Sequence, residues 1–346
     1  MRVLLSQLYS LVMRLRALLY RRGLISRSRL RNPVISVGNL TVGGTGKTPF
    51  VAYLAGVLKQ AGYQPVVLSR GYRGKAEHST LVVSDGRKVL CDPASSGDEP
   101  FLLAGQLPGV RVAVRKNRHR SGTLVEQEAD GRVIHILDDG FQHLRLKRNL
   151  DILLVDATDP FGGGHLLPAG RLREPLAAMG RADLVVITRS HLMGEMDRLG
   201  AAIWGHSKVT AISYFYHLAV GVFDLKTRTQ FRTRDFVGRR VIALAAIGNP
   251  GIFVQDLEHY QMDVRHQLLF PDHHPYIQSD LDQALENLDE HGAEALMTTE
   301  KDAVRLQGLE FGAGQIFVLK IEALPEDPAE YRKFLLDEVA GLPNPH

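Results

Sequence analysis

Short apolar runs separated by amphipathic stretches recur along the first half of the chain. Val34–Val37, Pro65–Ser69, Val133–Leu137, Asp151–Val155 and Asp183–Thr188 each read as a strand buried on both faces. Helical patterns intervene at Pro49–Ala61 and Glu99–Ala104. Strands alternating with helices predict a mostly parallel, doubly wound α/β sheet, since parallel neighbours need a crossover long enough to hold a helix. From about Lys208 to Phe236 the pattern changes, and Val209–Phe215, Ala219–Asp224 and Thr227–Phe231 read as short antiparallel strands. A second α/β set follows, with strands Val241–Ala246, Ala295–Thr298 and Ile316–Ile321 and helices Gly251–His259, Ser279–Glu290 and Asp302–Leu306. Four segments are expected: an N-terminal helix over 1–31, a core lobe over 32–207, linking strands over 208–236, and a smaller α/β lobe over 237–340.

The first thirty residues follow a different period. At 100° per residue, Leu4, Leu5, Leu8, Leu11, Val12, Leu15, Leu18 and Leu19 share one arc, with Ser6, Gln7, Ser10, Arg14 and Arg21 opposite. Charge sharpens this picture. The net charge is +4, yet no Asp or Glu precedes Glu77, and residues 1–76 carry 13 Lys and Arg. An apolar face beside an arginine-rich face predicts a helix lying in a membrane interface, where each nearby Lys or Arg adds about 1 kcal/mol on an anionic leaflet. Arg14 and Arg16 interrupt the apolar run, which argues against a spanning helix. The competing reading is a helix packed on the protein's own core. At 346 residues with one cysteine, Cys91, the chain is long enough for two domains, has no internal disulfide, and suits a reducing compartment.

Between the first apolar strand and the helix from Pro49 lies Asn39-Leu40-Thr41-Val42-Gly43-Gly44-Thr45-Gly46-Lys47-Thr48. Strand, glycine-rich loop and helix in that order are the setting of a phosphate-binding loop for a nucleoside triphosphate. Backbone N–H groups of Thr41, Val42, Gly43, Gly44, Thr45, Gly46, Lys47 and Thr48 would converge on phosphate oxygens at the positive end of the helix. Lys47 would reach the β- and γ-phosphates, and the Thr48 hydroxyl would help hold Mg²⁺. Thr41 stands where the usual motif opens with glycine, and the nearest upstream glycine is Gly38.

Other strand ends carry chemistry too. Val133–Leu137 runs into Asp138-Asp139-Gly140-Phe141-Gln142-His143, placing Asp138 to serve a metal and Asp139 on either the phosphate or the substrate side. Extended geometry would point the two carboxylates to opposite faces, unless the chain turns at Gly140. Asp98, in Gly97-Asp98-Glu99-Pro100, either caps a helix or orients an attacking hydroxyl; a carboxylate of pKa about 3.9 takes such a proton late. Asp272-His273-His274 offers an imidazole oriented by an acid, with no third ligand spaced for zinc. Arg70 and Arg73 flank a glycine-rich turn, and Arg171 lies in the long loop Phe161–Pro175; both loops suit anionic groups. Thr298-Thr299-Glu300-Lys301-Asp302 resembles a base-recognition loop with altered spacing.

Seven of these segments together, in order, resemble the tetraacyldisaccharide 4′-kinase family. They are Gly38–Pro49, Leu68–Tyr72, Gly97–Pro100, Asp138–His143, Leu167–Pro175, Asp272-His273 and Thr299–Asp302, spanning about Pro33 to Arg305. That family's loop also lacks the first glycine. The resemblance implies ATP and Mg²⁺ as cofactors and the 4′-hydroxyl of a lipid A disaccharide precursor as acceptor. It implies work at the cytoplasmic face of the inner membrane, on an anionic leaflet, with neither nucleic acid nor an obligate protein partner. Carried over by position, Lys47 and Thr48 bind phosphate and Mg²⁺, Asp138 joins the metal shell, Asp139 acts nearby, and Asp98 is the base paired with His273. Arg70, Gln142, His143 and Arg171 are candidates for the lipid. The alternative is a P-loop GTPase-type switch or metal-loading chaperone; Glu300 interrupts the guanine loop such a protein needs.

Overall fold

The computed structural model describes residues 1–128, 131–194, 196–207, 209, 211–312 and 314–343. The chain forms two compact units, Met1–His217 with Ala323–His346, and Leu218–Glu322. The first contains α1 (Arg2–Arg21), β1 (Val34–Asn39), α2 (Lys47–Gln60), β2 (Gln64–Ser69), β3 (Leu81–Asp85), α3 (Pro93–Ser96) and α4 (Asp98–Gln106). It continues with β4 (Arg111–Val114), α5 (Arg118–Gln127), β5 (Val133–Leu137), β6 (Leu150–Asp156), β7 (Leu184–Thr188), α6 (Met196–His206) and the first half of β8 (Ala211–Asp224).

Its strand order is β8-β7-β6-β1-β5-β2-β4-β3, parallel except for β3 against β4. Every residue of β1, β5, β6 and β7 is buried, as continuous apolar runs in a sheet covered on both faces require. The carboxyl ends of β1, β2, β5, β6 and β7 open on one edge, where a doubly wound sheet places its ligand.

The second unit contains β9 (Gln230–Phe231), β10 (Arg240–Ala245), α7 (Pro250–His259), β11 (Asp263–Leu269), α8 (Gln278–Glu290), β12 (Ala295–Thr299), α9 (Glu300–Arg305) and most of β13 (Ile316–Pro325). Its order is β11-β10-β12-β13, and β13 adjoins β8. Phe231, Phe236 and Phe317 meet edge-on in its core, with Phe236 and Phe317 centroids 4.8 Å apart.

Two expectations change. Ala211–Phe215, within the expected Val209–Phe215, and Ala219–Asp224 belong to a single strand, β8, which runs parallel to β7 over Ala211–Phe215; the expected antiparallel pairing is found between Ala219–Asp224 and Thr227–Phe231, where Val222 and Phe223 face β9. Tyr216-His217-Leu218 holds no turn-forming residue, so nothing breaks the strand there. Lys208 and Thr210 lie outside the described residues. The C-terminal segment does not stay with a lobe over 237–340, because α10 (Pro328–Ala340) returns to the first unit. Asp327 caps it, and its Tyr331, Leu335 and Val339 enter the core that holds Phe50 and Phe215, with Phe215 and Tyr331 centroids 4.8 Å apart.

In α1 it is the competing reading that fails, since the leucine stripe does not pack on the core: Leu4 is 71% exposed, Leu8 60% and Leu11 63%. Polar side chains dock the helix instead. Ser6 Oγ donates to the Leu166 carbonyl at 2.9 Å, Tyr9 Oη to that of Arg173 at 3.0 Å, and Arg16 Nη2 to that of Gln142 at 2.9 Å. By length and composition alone, this 20-residue helix is sufficient to cross a membrane.

Candidate active site

The loop Leu40–Gly46 leaves β1 and enters α2 through Gly46, whose φ of +75° is left-handed and open to glycine at little cost. Thr41 is buried and bridges Leu172, while Asn39 Nδ2 donates to the Thr41 carbonyl at 2.9 Å and to its hydroxyl at 3.2 Å. The position that lacks the usual glycine is therefore stitched to the 161–175 loop. Gly38 answers a different need, since a Cβ there would lie 2.7 Å from the Phe141 backbone nitrogen. The Val42 N–H donates to the Arg171 carbonyl at 2.8 Å. Of the N–H groups expected to cradle an anion over Thr41–Thr48, that of Val42 is therefore already committed.

Lys47, the first residue of α2, points back along the loop. Its Nζ lies 3.2 Å from Asn39 Oδ1 and 3.6 Å from Asp139 Oδ1. Arg173 grips Asp139 with two bonds of 2.9 Å and also pairs with Asn39 Oδ1. Burial pushes the Asp139 carboxyl up, but Lys47 and Arg173 outweigh it and hold it well below the usual carboxylate range. β5 stops at Leu137, and Asp139 itself adopts a left-handed φ of +50°. The turn expected at Gly140 thus begins one residue earlier, and Lys47 acts on both carboxylates.

Asp138 is 1% exposed and accepts from Ser69 Oγ at 2.9 Å through Oδ2. Its Oδ1 is buried without a partner. Burial first, then the charges of Glu99 and Asp139, push its pKa up to about 6, against Lys47 and Ser69. A buried carboxylate oxygen with an unpartnered lone pair, close enough to a second acid to feel its charge, fits a divalent cation, whose charge would reverse that shift.

Asp98 opens α4 rather than capping it; Gly97 holds the N-cap position without a side-chain cap bond. Gln142 Nε2 donates to the Asn39 carbonyl at 2.8 Å. His143 Nδ1 lies 3.4 Å from Arg118 Nη1, and burial, then Arg118 and Arg148, lower its pKa to about 3. Arg171 is engaged by the Val42 carbonyl and Asp159, tying the long loop to the phosphate loop. Arg70 pairs with Glu77 at 2.7 Å and lies over the Tyr72 ring.

Some residues with important contacts carried no role in the sequence reading. Arg118, 5% exposed, donates to the carbonyls of Asp138 and Asp139 at 3.3 and 3.4 Å. It lies in a basic run, Arg118-His119-Arg120, indistinguishable by composition from a solvated face. Arg173 and Asn39 stood inside recognised motifs, but nothing in the spacing showed that they would clamp Asp139.

In the second unit, His273 has a left-handed φ of +62°, and its N–H donates to the Ala246 carbonyl at 3.1 Å. Its Nδ1 lies 3.2 Å from Arg305 Nη2. A guanidinium only donates, so Nδ1 accepts and the neutral ring carries its proton on Nε2, 3.8 Å from Asp272 Oδ1. His274 instead bonds Asp280 at 2.8 Å and stacks on Phe270. Asp302, fully buried, accepts from Thr299 Oγ1, the Ala246 N–H and Arg305. Its commitments explain Thr299–Asp302 as a helix start and remove the reason to read a base-recognition loop there.

Phosphate-loop geometry and an acid pair on adjoining strand ends are shared by many nucleotide enzymes, so relatedness decides between them. The model of the tetraacyldisaccharide-1-P 4′-kinase family matches residues 2–340. The chain belongs to this family. It is a kinase that transfers phosphate to a hydroxyl. Relatives described as tetraacyldisaccharide 4′-kinase include one from Pelobacter propionicus, 44% identical over 94% of this chain and 88% of its own length. Another, from Geobacter metallireducens, is 41% identical over 94% and 93%. The crystal structure of LpxK from Aquifex aeolicus in complex with ATP has a TM-score of 0.74 at 32% identity, covering 96% of this chain and 97% of that one. The mostly parallel α/β architecture expected from the apolar pattern is the one these kinases share.

Proposed function

We propose that this kinase transfers the γ-phosphate of ATP to the 4′-hydroxyl of a tetraacylated glucosamine disaccharide 1-phosphate at the cytoplasmic face of the inner membrane. The observation that carries the reading is the convergence on one sheet edge of the glycine loop, Lys47, the buried Asp138 and the clamped Asp139. The N–H groups beyond Val42 bind the phosphates, and Lys47 exchanges Asn39 for phosphate oxygens. Asp138 and Thr48 hold Mg²⁺, which when bound neutralises charge on the β- and γ-oxygens. Asp139, fixed by Arg173, keeps Lys47 aimed across the site. Asp98 orients the acceptor hydroxyl and takes its proton late; its pairing with His273 rests on the family resemblance. Arg70, Gln142, His143 and Arg171 are the candidates for contact with the lipid acceptor.

α1 supplies the membrane contact. Its polar flank is bonded to protein while its leucines are bare, so the helix lies in the interface with its apolar face in lipid rather than spanning the bilayer. Incubation with ATP and the purified disaccharide 1-phosphate in mixed micelles is expected to yield a product one phosphate heavier. A 4′-deoxy acceptor is expected to yield none, and labelling of the 4′-deoxy compound would refute the site of transfer. Asp98→Ala is expected to reduce turnover far more than ATP affinity; equal losses in both would remove Asp98 from the role of base.

A further inference from the structure

His217 ends the part of β8 that belongs to the first unit. It is 6% exposed. A Cβ built on Gly46 would lie 1.8 Å from its Cε1 and 2.4 Å from its Nε2, so the ring occupies the space any side chain at position 46 would need. Nε2 has no hydrogen-bond partner. The surroundings are cationic: burial first, then the charges of Arg189 and His191, drive its pKa well below the usual histidine value, which leaves the ring neutral.

The neighbouring strand end holds the same loop. Thr188 Oγ1, at the end of β7, donates to the Thr45 carbonyl at 3.1 Å. Arg189 Nη1 donates to the Gly44 carbonyl at 3.0 Å and pairs with Asp156. Gly44 and Thr45 are thus fixed through their carbonyls, leaving their N–H groups for a phosphate. Gly46 is held by the Phe50 N–H, which donates to its carbonyl at 3.2 Å, and by the ring contact. A polar ring with an orphaned nitrogen is a costly choice for plain packing, since an apolar side chain of that volume avoids the desolvation.

We propose that His217 is a positioning residue for the phosphate loop: its imidazole wedges Gly46 into the left-handed turn and so aims the N–H groups of residues 46–48 at the nucleotide. The inference rests on the reading of that loop as the ATP site. It acts on ATP and not on the lipid acceptor.

The test reads ATP binding by the full-length protein, by calorimetry, beside its thermal midpoint. His217→Ala is expected to weaken ATP binding about tenfold, the loss that follows when the contact ordering a binding loop is removed. Gly46→Ala is expected to bind worse still, through overlap with the ring. The double substitution is expected to cost less than the product of the two single losses, because removing the ring relieves the overlap. His217→Phe preserves the ring volume and is expected to stay within about threefold of wild type. A His217→Ala protein with a lowered midpoint but unchanged ATP affinity would show a purely structural ring and overturn the proposal. Strictly multiplicative losses in the double variant would do the same. Should the alanine variant fail to fold, weak binding by a folded His217→Phe protein would be decisive against the wedge. If wild type itself binds no ATP, the reading of the loop falls instead.

Discussion

Replacing Arg173 with alanine probes the clamp on Asp139. Two charge-assisted bonds of 2.9 Å disappear, along with the pairing to Asn39, and Lys47 is left, among the described residues, as the cation paired with that carboxylate. Bonds to charged groups contribute about 1.5–3 kcal/mol each. The Asp139 side chain keeps 36% of its surface exposed, so solvent screening takes about half of the total and leaves about 2 kcal/mol. Spent on aiming Lys47 in the transition state, that corresponds to about a 30-fold loss in kcat/KM. The assay is initial-rate transfer from labelled ATP to the disaccharide acceptor, with folding confirmed by near-UV circular dichroism. Arg173→Lys keeps the charge but not the planar fork, and is expected to recover only part of the loss. An alanine variant within twofold of wild type, or full recovery with lysine, would refute the clamp.

Leu8→Gln with Leu11→Gln alters only exposed positions, so thermal stability should hold within about 0.5 kcal/mol. The vesicle partition constant read by flotation should fall by about 1.5 to 3 orders of magnitude, at about 1–2 kcal/mol for each of the two leucines withdrawn from lipid; an unchanged constant would remove the anchor. Leu335→Ala empties a fully buried position where α10 meets the first unit, and calorimetry should show about 2–5 kcal/mol lost. Glu126 gives a pH dependence. Burial pushes its carboxyl up, but the bond to His135 and the N–H groups of Asn32 and Arg31 outweigh it and hold it at about 2, below its unfolded value of 4.5. That stabilisation, about 2 kcal/mol after screening, is complete above pH 4.5 and fades as pH falls toward 2. The stability difference between wild type and Glu126→Gln in urea should therefore shrink from pH 6 to pH 3.5; a constant difference would contradict it.

The parallel strands and the phosphate loop were legible because continuous apolar runs and a glycine-rich turn before a helix each have few physical solutions. The strands β3 and β4 were not, since four or five residues such as Arg111–Val114 carry too little period to register. Nothing in the local pattern of α10 shows which unit it covers; that depends on aromatic partners nearly three hundred residues away in sequence, such as Phe50. At the site, residue type marked Lys47, Asp138 and Asp139. It did not mark Arg118, because a buried arginine and a solvated one look alike in sequence, and tertiary contacts alone separate them. The leucine stripe of α1 was legible as a surface; its exposure followed only from polar side chains taking the docking role.

The central claim is that the sheet edge at the ends of β1 and β5 grips a magnesium-bound triphosphate. A crystal structure with a non-hydrolysable ATP analogue and Mg²⁺ tests it most directly. The account requires the β- and γ-phosphates against the N–H groups of residues 43–48, Lys47 Nζ moved from Asn39 to phosphate oxygen, and Asp138 Oδ1 directed at the metal. Phosphates bound elsewhere, with Lys47 still on Asn39 and Asp138 Oδ1 still without a partner, would contradict it.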